Sequence, residues 1–405
     1  MTVAYIVSVT LALFAGALPA QILGLVWEMV CSQMELEIPY IALLRLLGAV
    51  GAIAAVILSD KIRGYILVRD LMVGAVALEA LSLIGFSLSR VFWNLGLWVT
   101  ALGFSMGMCF SLICYLLRET YSRKTSLLFS CSPLGAMAGT FLVSWFLSHG
   151  RSWRAACQGL AIFQILLCMV IFLLRRILLR DFAVILRKRR KEAGILRQRR
   201  REQLIREKGE PDERAQDAYL VKLLFLYGAA LCCGLLLLSA VHLTFSAQVA
   251  SGDLSANLAD SILMVCAGMA LGRILVHFTA KSSRRAWAAG TILAAACLAF
   301  GCGAAWAGKT WTALPHVIRF GTGLGAGMIF PNLIQTEDER FDDEAQTAMA
   351  GLLPAFYLGG EALITPFVQS MRGAREMAIC ASAMLVLVCC MGACLAFSSV
   401  RIRKR

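Results

Sequence analysis

The run RDFAVILRKRRKEAGILRQRRREQLIREK, from Arg180 to Lys208, sits near the middle of the chain and, taken alone, reads like a basic arm for nucleic acid. Its surroundings decide otherwise. From Arg175 to Asp217 there are 15 Lys/Arg against 8 Asp/Glu, so +7 of the formal net charge of +14 is gathered in this one segment. The rest of the 405 residues is oily: 59% of the chain is hydrophobic, 16% is charged, and the mean hydropathy is +0.75. That composition is outside the range of soluble globular proteins.

Working outward, the chain on each side divides into apolar runs of about 20 residues, the length that crosses a hydrocarbon core. Six are expected before the basic segment, near 3–27, 38–59, 66–88, 93–117, 125–148 and 155–175. Six are expected after it, near 219–247, 257–279, 286–307, 313–335, 346–370 and 376–399. The first lacks a charged residue ahead of it and exceeds a signal-peptide core, so it reads as a retained helix. With the N-terminus inside, the inner loops and tail carry 29 Lys/Arg and the outer side 6. The positive-inside rule then sets both termini in the cytoplasm of a multi-pass protein of the cytoplasmic membrane. The basic run becomes a cytoplasmic connector beside anionic headgroups, with no nucleic acid partner. Phe182, Ile185, Leu186, Ile195, Leu196 and Leu204 between its charges also suit a helix lying on the membrane surface, and GEPDE at 209–213 would end it.

Motifs of chemistry are missing. The fifteen cysteines have no CxxC pair, and the four histidines (His149, His242, His277 and His316) are dispersed, which argues against a metal site. No P-loop, dinucleotide fingerprint or nucleophile elbow occurs, so neither a cofactor nor an enzyme activity is expected. The halves match instead: each has six spans, with a short basic loop between its second and third, SDKIRG at Ser59–Gly64 and AKSSRR at Ala280–Arg285. Two like bundles joined by a long connector form a carrier organisation. The expected divisions are 1–175, 176–218, 219–400 and a basic tail at 401–405.

Particular residues carry a resemblance. GAVGAIAAVILSDKIRGYILV at 48–68 resembles the signature that follows the second span in the major facilitator superfamily, with Asp60 and Lys61 in place and the usual Gly-Arg pair reversed as Arg63-Gly64. GRSWRAACQGL before the sixth span and GMALGRILVHFTAKSSRR at the eighth are also similar to that family. FGTGLGAGMIFPNLIQTEDERF followed by AMAGLLPAFYLGGEALITPFV resembles its fucose-permease-like branch. The resemblance implies an all-α fold of about 12 transmembrane helices in two six-helix bundles. It also implies a secondary transporter that moves a small organic solute by alternating access. A non-transporting ligand sensor on the same bundles is the alternative.

Ionisable residues inside spans are costly and normally face a partner or a wet cavity. Glu79, Glu361, Arg45 and Arg319 are therefore the candidates for substrate contact or proton coupling, the glutamates nearer mid-membrane and the arginines in the outer third. Trp27, Tyr115, His242, Phe330, Asn332 and Tyr357 are candidates for the cavity wall. The cytoplasmic gate is expected from Asp60, Lys61, Arg63, Arg118, Arg123 and Arg273. There Asp60 would latch onto Arg118 or Arg123, and Arg273 would meet the acidic TEDERFDDE loop. Gly321, Gly323, Gly325 and Gly327 and the pair Gly135/Gly139 mark close helix contacts, and Pro331, Pro354 and Pro366 mark relaxed helices beside the cavity. The expected partners are the lipid bilayer, a small-molecule substrate and a proton, acting on a monomer.

Overall fold

Lipid offers backbone groups no water, so an apolar run satisfies its own N–H and C=O groups by becoming a helix. The computed structural model describes residues 3–37, 40–63, 65–119, 125–174, 254–279, 283–306 and 314–336, with scattered residues in 224–232 and 382–393. The described residues are helical, with no strand among them. Seven of their segments are long and apolar enough to cross a membrane.

The first span is α1 (Val3–Ala17) followed by α2 (Ile22–Met34), and α3 (Tyr40–Ile62), α4 (Val68–Leu88) and α5 (Phe92–Glu119) are the next three. The fifth is split into α6 (Thr125–Phe129) and α7 (Cys131–Ser148), and the sixth is α8 (Trp153–Leu174). After the connector come α9 (Leu254–Thr279), α10 (Ser283–Trp306) and α11 (Leu314–Thr336), the eighth to tenth spans. The seventh, eleventh and twelfth expected spans and the connector fall wholly or mostly outside the described residues.

Most boundaries fall within three residues of expectation, and the exceptions have a physical cause. The first span runs on to Met34 instead of stopping near 27, and it is broken between α1 and α2 at Leu18–Gln21. Pro19 has no N–H to return to Ala15. Chain continuity there is kept by tighter bonds, from Leu18 N to Ala15 O at 3.1 Å and from Ile22 N to Pro19 O at 3.1 Å. Pro133 acts likewise on the fifth span, which breaks at Ser130, five residues after it begins. By contrast α11 continues through Pro331, where a relaxed helix was expected.

Close approach is the rule between helix pairs. A Cβ built on Gly103 of α5 would lie 1.9 Å from the Gly48 carbonyl oxygen of α3, and one on Gly107 would lie 2.4 Å from that of Ala52. In the other half, a Cβ on Gly323 would lie 2.2 Å from Val265 O and one on Gly327 2.4 Å from Met269 O, both on α9. Gly103 and Gly107 in one half and Gly323 and Gly327 in the other are both four residues apart, so the fourth span of each half meets the second through the same glycine spacing. The alternate glycines of α11 divide between two neighbours. Gly323 and Gly327 face α9, while Gly321 and Gly325 face Cys297 and Gly290 of α10. Two steps along a helix turn about 200°, so a series of every second residue makes two opposite small-residue faces.

The GRSWR sequence has a structural use at the end of α4. Arg154 donates to Ser87 O and Ser89 O, both at 3.2 Å, and so satisfies carbonyls that the helix leaves unpaired at its C-terminus. Its guanidinium lies over the Trp153 ring at 4.9 Å, and the indole N–H of Trp153 donates to Gln33 Oε1 at 2.6 Å. Replacing Arg154 with Ala is expected to lower stability by about 1–2 kcal/mol. Thermal unfolding of the purified protein in detergent checks this, and an unchanged midpoint would contradict the capping role.

Candidate functional site

The break in the first span opens one wall of a cavity of about 140 Å³. Pro19, Gln21 and Gly24 line it from the break and α2, Arg45 and Ala52 from α3, and Phe86 and Met106 from α4 and α5. Among the described residues that line it, Arg45 is the only charged side chain and Gln21 is polar, the others being apolar or glycine. Gly24 makes room for that arginine, since a Cβ there would stand 3.0 Å from Arg45 Nη2. Gln21, the residue before α2, caps no N–H with its side chain, and it lines the same wall with Ile22 and Leu23 at the helix start.

A second cluster lies behind the break. Glu79 of α4 is fully buried. Gln164 of α8, itself fully buried, donates from Nε2 to Glu79 Oε2, and the same nitrogen donates to Ala15 O at 3.1 Å. Ala15 O is the carbonyl that Pro19 cannot serve. Gly16 lets the carboxyl and Cys109 of α5 approach α1, a Cβ there falling 3.6 Å from Glu79 Oε1 and 3.2 Å from Cys109 Cβ. No ion pair to Glu79 occurs among the described residues. One amide thus joins a buried carboxyl to the hinge of the first span.

The other arginines are placed differently. Arg319 of α11 is fully buried near the same end of α11 and α9 as Asp260, whose field acts on it, and Asp260 is exposed. Arg273 of α9 is buried and donates from Nη1 to Phe129 O at the α6–α7 break, its guanidinium 6.0 Å from the Phe129 ring. The acidic loop expected to meet it lies outside the described residues. At the same end of the molecule Arg63 lies over Tyr115 at 4.1 Å and donates to Ser59 O at 3.3 Å, while Ser59 Oγ and Ser111 Oγ are 2.7 Å apart. Tyr115 therefore serves the end of α3 and α5 and does not line the cavity. Lys61 is exposed there, and Trp27 is buried in the main core and does not line the cavity. The side chains of Asp60, Arg118, Arg123, Phe330 and Asn332, and the residues Glu361, His242 and Tyr357, lie outside the described residues.

Of the expected coupling and substrate candidates, the structure thus brings Arg45 to the cavity and Glu79 to its hinge. Sequence reasoning passed over Gln164, Cys109, Pro19 and Pro133. An uncharged amide inside an apolar run and the residue four before each proline were the available signals.

Two halves with matching glycine spacing, a broken first helix beside a cavity and buried charges inside spans are features that comparison with known families can decide. The family model of the Major Facilitator Superfamily matches residues 2–365. The chain belongs to that superfamily. As a Major Facilitator Superfamily protein it is a multi-pass membrane transporter with the family's helical fold, and the match reaches no further toward the fucose-permease-like branch. No curated protein matches the chain.

Proposed function

We propose that the chain is a secondary active transporter of the cytoplasmic membrane. Two six-helix bundles, residues 1–175 and 219–400, rock about a midplane site and move a small organic solute coupled to protons. Both termini and the basic connector at 176–218 are cytoplasmic in this reading, which the charge asymmetry of the loops supports. The observation that carries the coupling is the link from Glu79 through Gln164 to Ala15.

The link has a chemical consequence. An amide nitrogen donates to a carboxylate, whereas a protonated carboxyl needs an acceptor, and one Gln164 atom cannot do both. A proton arriving on Glu79 Oε2 is met by turning the amide oxygen toward it, and Ala15 O then loses the Gln164 donor and keeps only the one from Leu18 N. The turn at Leu18–Gln21 is loosened, and that turn is cavity wall. An uncompensated charge at this depth costs about 3 kcal/mol, enough to tie proton occupancy to the state of the helix.

Cavity size and lining narrow the solute. About 140 Å³ is the room taken by a single small ring, which favours a small compound over a bulky amphiphile. The Arg45 guanidinium and the start of α2 on one wall favour an anionic group such as a carboxylate. A thermal-shift screen of the purified protein against small carboxylates, phosphate esters, neutral sugars and organic cations tests this. An acid at a hundred times its Kd should stabilise by about 2.7 kcal/mol, and Arg45→Gln should remove that gain. Stabilisation by sugars or cations alone, unaffected by Arg45→Gln, would reject the anion assignment.

A further inference from the structure

Two prolines break two spans, and in each case a side chain from another helix takes the carbonyl four residues earlier. For Pro19 the donor is Gln164, from the same half. For Pro133 the donor is Arg273, which comes from the opposite half of the chain. We infer that Arg273 is a gating residue that holds the two bundles together at one end of the molecule by donating to the Phe129 carbonyl, a site that exists because Pro133 has no N–H.

The geometry supports a latch and not a packing accident. In an unbroken helix Phe129 O would accept from residue 133; a proline there removes that donor and shifts the helix break to Ser130. Arg273 is buried, its Nη1 reaches Phe129 O and its guanidinium faces the Phe129 ring, so backbone and side chain of one residue are engaged together. The helices that carry the contact already meet: α9 packs on α6 and α7. Cys131 lies half-buried just past the break. Arginine suits a reversible latch, because a charge-assisted bond to one carbonyl is strong when dry and is replaced by water when the bundles part.

The inference rests on the alternating-access reading, and its test reads the latch without relying on flux. Full-length protein in lipid nanodiscs is treated with a water-soluble maleimide, and labelling of Cys131 and of Cys31 near the far end of α2 is followed by peptide mapping. Arg273→Gln should speed Cys131 labelling about tenfold and leave Cys31 unchanged. Pro133→Ala supplies an N–H that competes for Phe129 O while favouring the helix, so it should also speed Cys131. The double variant should be no faster than the faster single one, because both act on one bond. An unchanged Cys131 rate in either single variant, rates that multiply in the double, or a parallel rise at Cys31 from general loosening each overturn the latch. Solute flux is measured separately on the same proteins: expected labelling without any flux keeps the latch and removes the transport reading.

Discussion

Glu79→Gln is expected to abolish accumulation driven by a pH gradient while leaving solute exchange across the membrane intact. The substitution keeps the shape of the side chain and removes the proton site. Gln164 would then face an amide whose occupancy never changes, and the Ala15 bond would no longer follow the proton. One pH unit is worth about 1.4 kcal/mol per proton, so a one-to-one carrier can hold about a tenfold solute gradient. In the variant that ratio should fall to about one, with counterflow retained. Gln164→Leu should give the same result by cutting the link instead of the proton site. A variant that still accumulates solute tenfold would remove Glu79 from the coupling.

Among effects on the fold, Gly103→Val should be the most damaging. A Cβ there would stand 1.9 Å from a backbone oxygen of α3, which no side-chain rotation relieves. Overpacking costs about 1–3 kcal/mol where neighbours can shift, and a backbone neighbour in a paired helix shifts least. Loss of the folded species in detergent is the expected result, with Gly323→Val similar because its Cβ would stand 2.2 Å from Val265 O. Gly74→Ala supplies the contrast. Nothing lies within 4 Å of its added Cβ, so exchanging glycine for alanine in the interior of α4 should stabilise by about 0.5–1 kcal/mol. Size-exclusion profiles and melting midpoints of the three variants check the order, and a Gly103→Val protein as stable as the parent would contradict the packing described for α3 and α5.

How far the molecule could be read beforehand depends on whether a feature is carried by chain-long periodicity or by one hydrogen bond. Apolar length identified the described spans, because hydrocarbon imposes helices on any such run. The matching halves were visible in loop charges, and the glycine spacing sharpens them at Gly103/Gly107 and Gly323/Gly327. Charges in spans pointed to Glu79 and Arg45, since their burial is costly wherever they sit. What stayed hidden was partnership. Pro19 and Pro133 break their helices while α11 continues through Pro331, and the carbonyls released at the two breaks are taken by Gln164 and Arg273. Gln164 escaped notice because it has no charge, and the Phe129 carbonyl was not foreseen as a partner of Arg273, while the acidic loop expected to meet it lies outside the described residues. Tyr115 illustrates the same limit: an aromatic residue in a span suits a cavity wall or a cation equally well, and only the position of Arg63 decides.

The most direct test of the account is flux of a small organic acid, chosen by the thermal-shift screen, into proteoliposomes under an imposed pH gradient. Wild-type protein should accumulate the acid up to about tenfold per pH unit in a one-to-one exchange of free energy with protons, and should lose that gradient when a protonophore collapses the pH difference. Binding of the acid by correctly folded protein without any flux would contradict the transporter reading and leave a membrane sensor in its place.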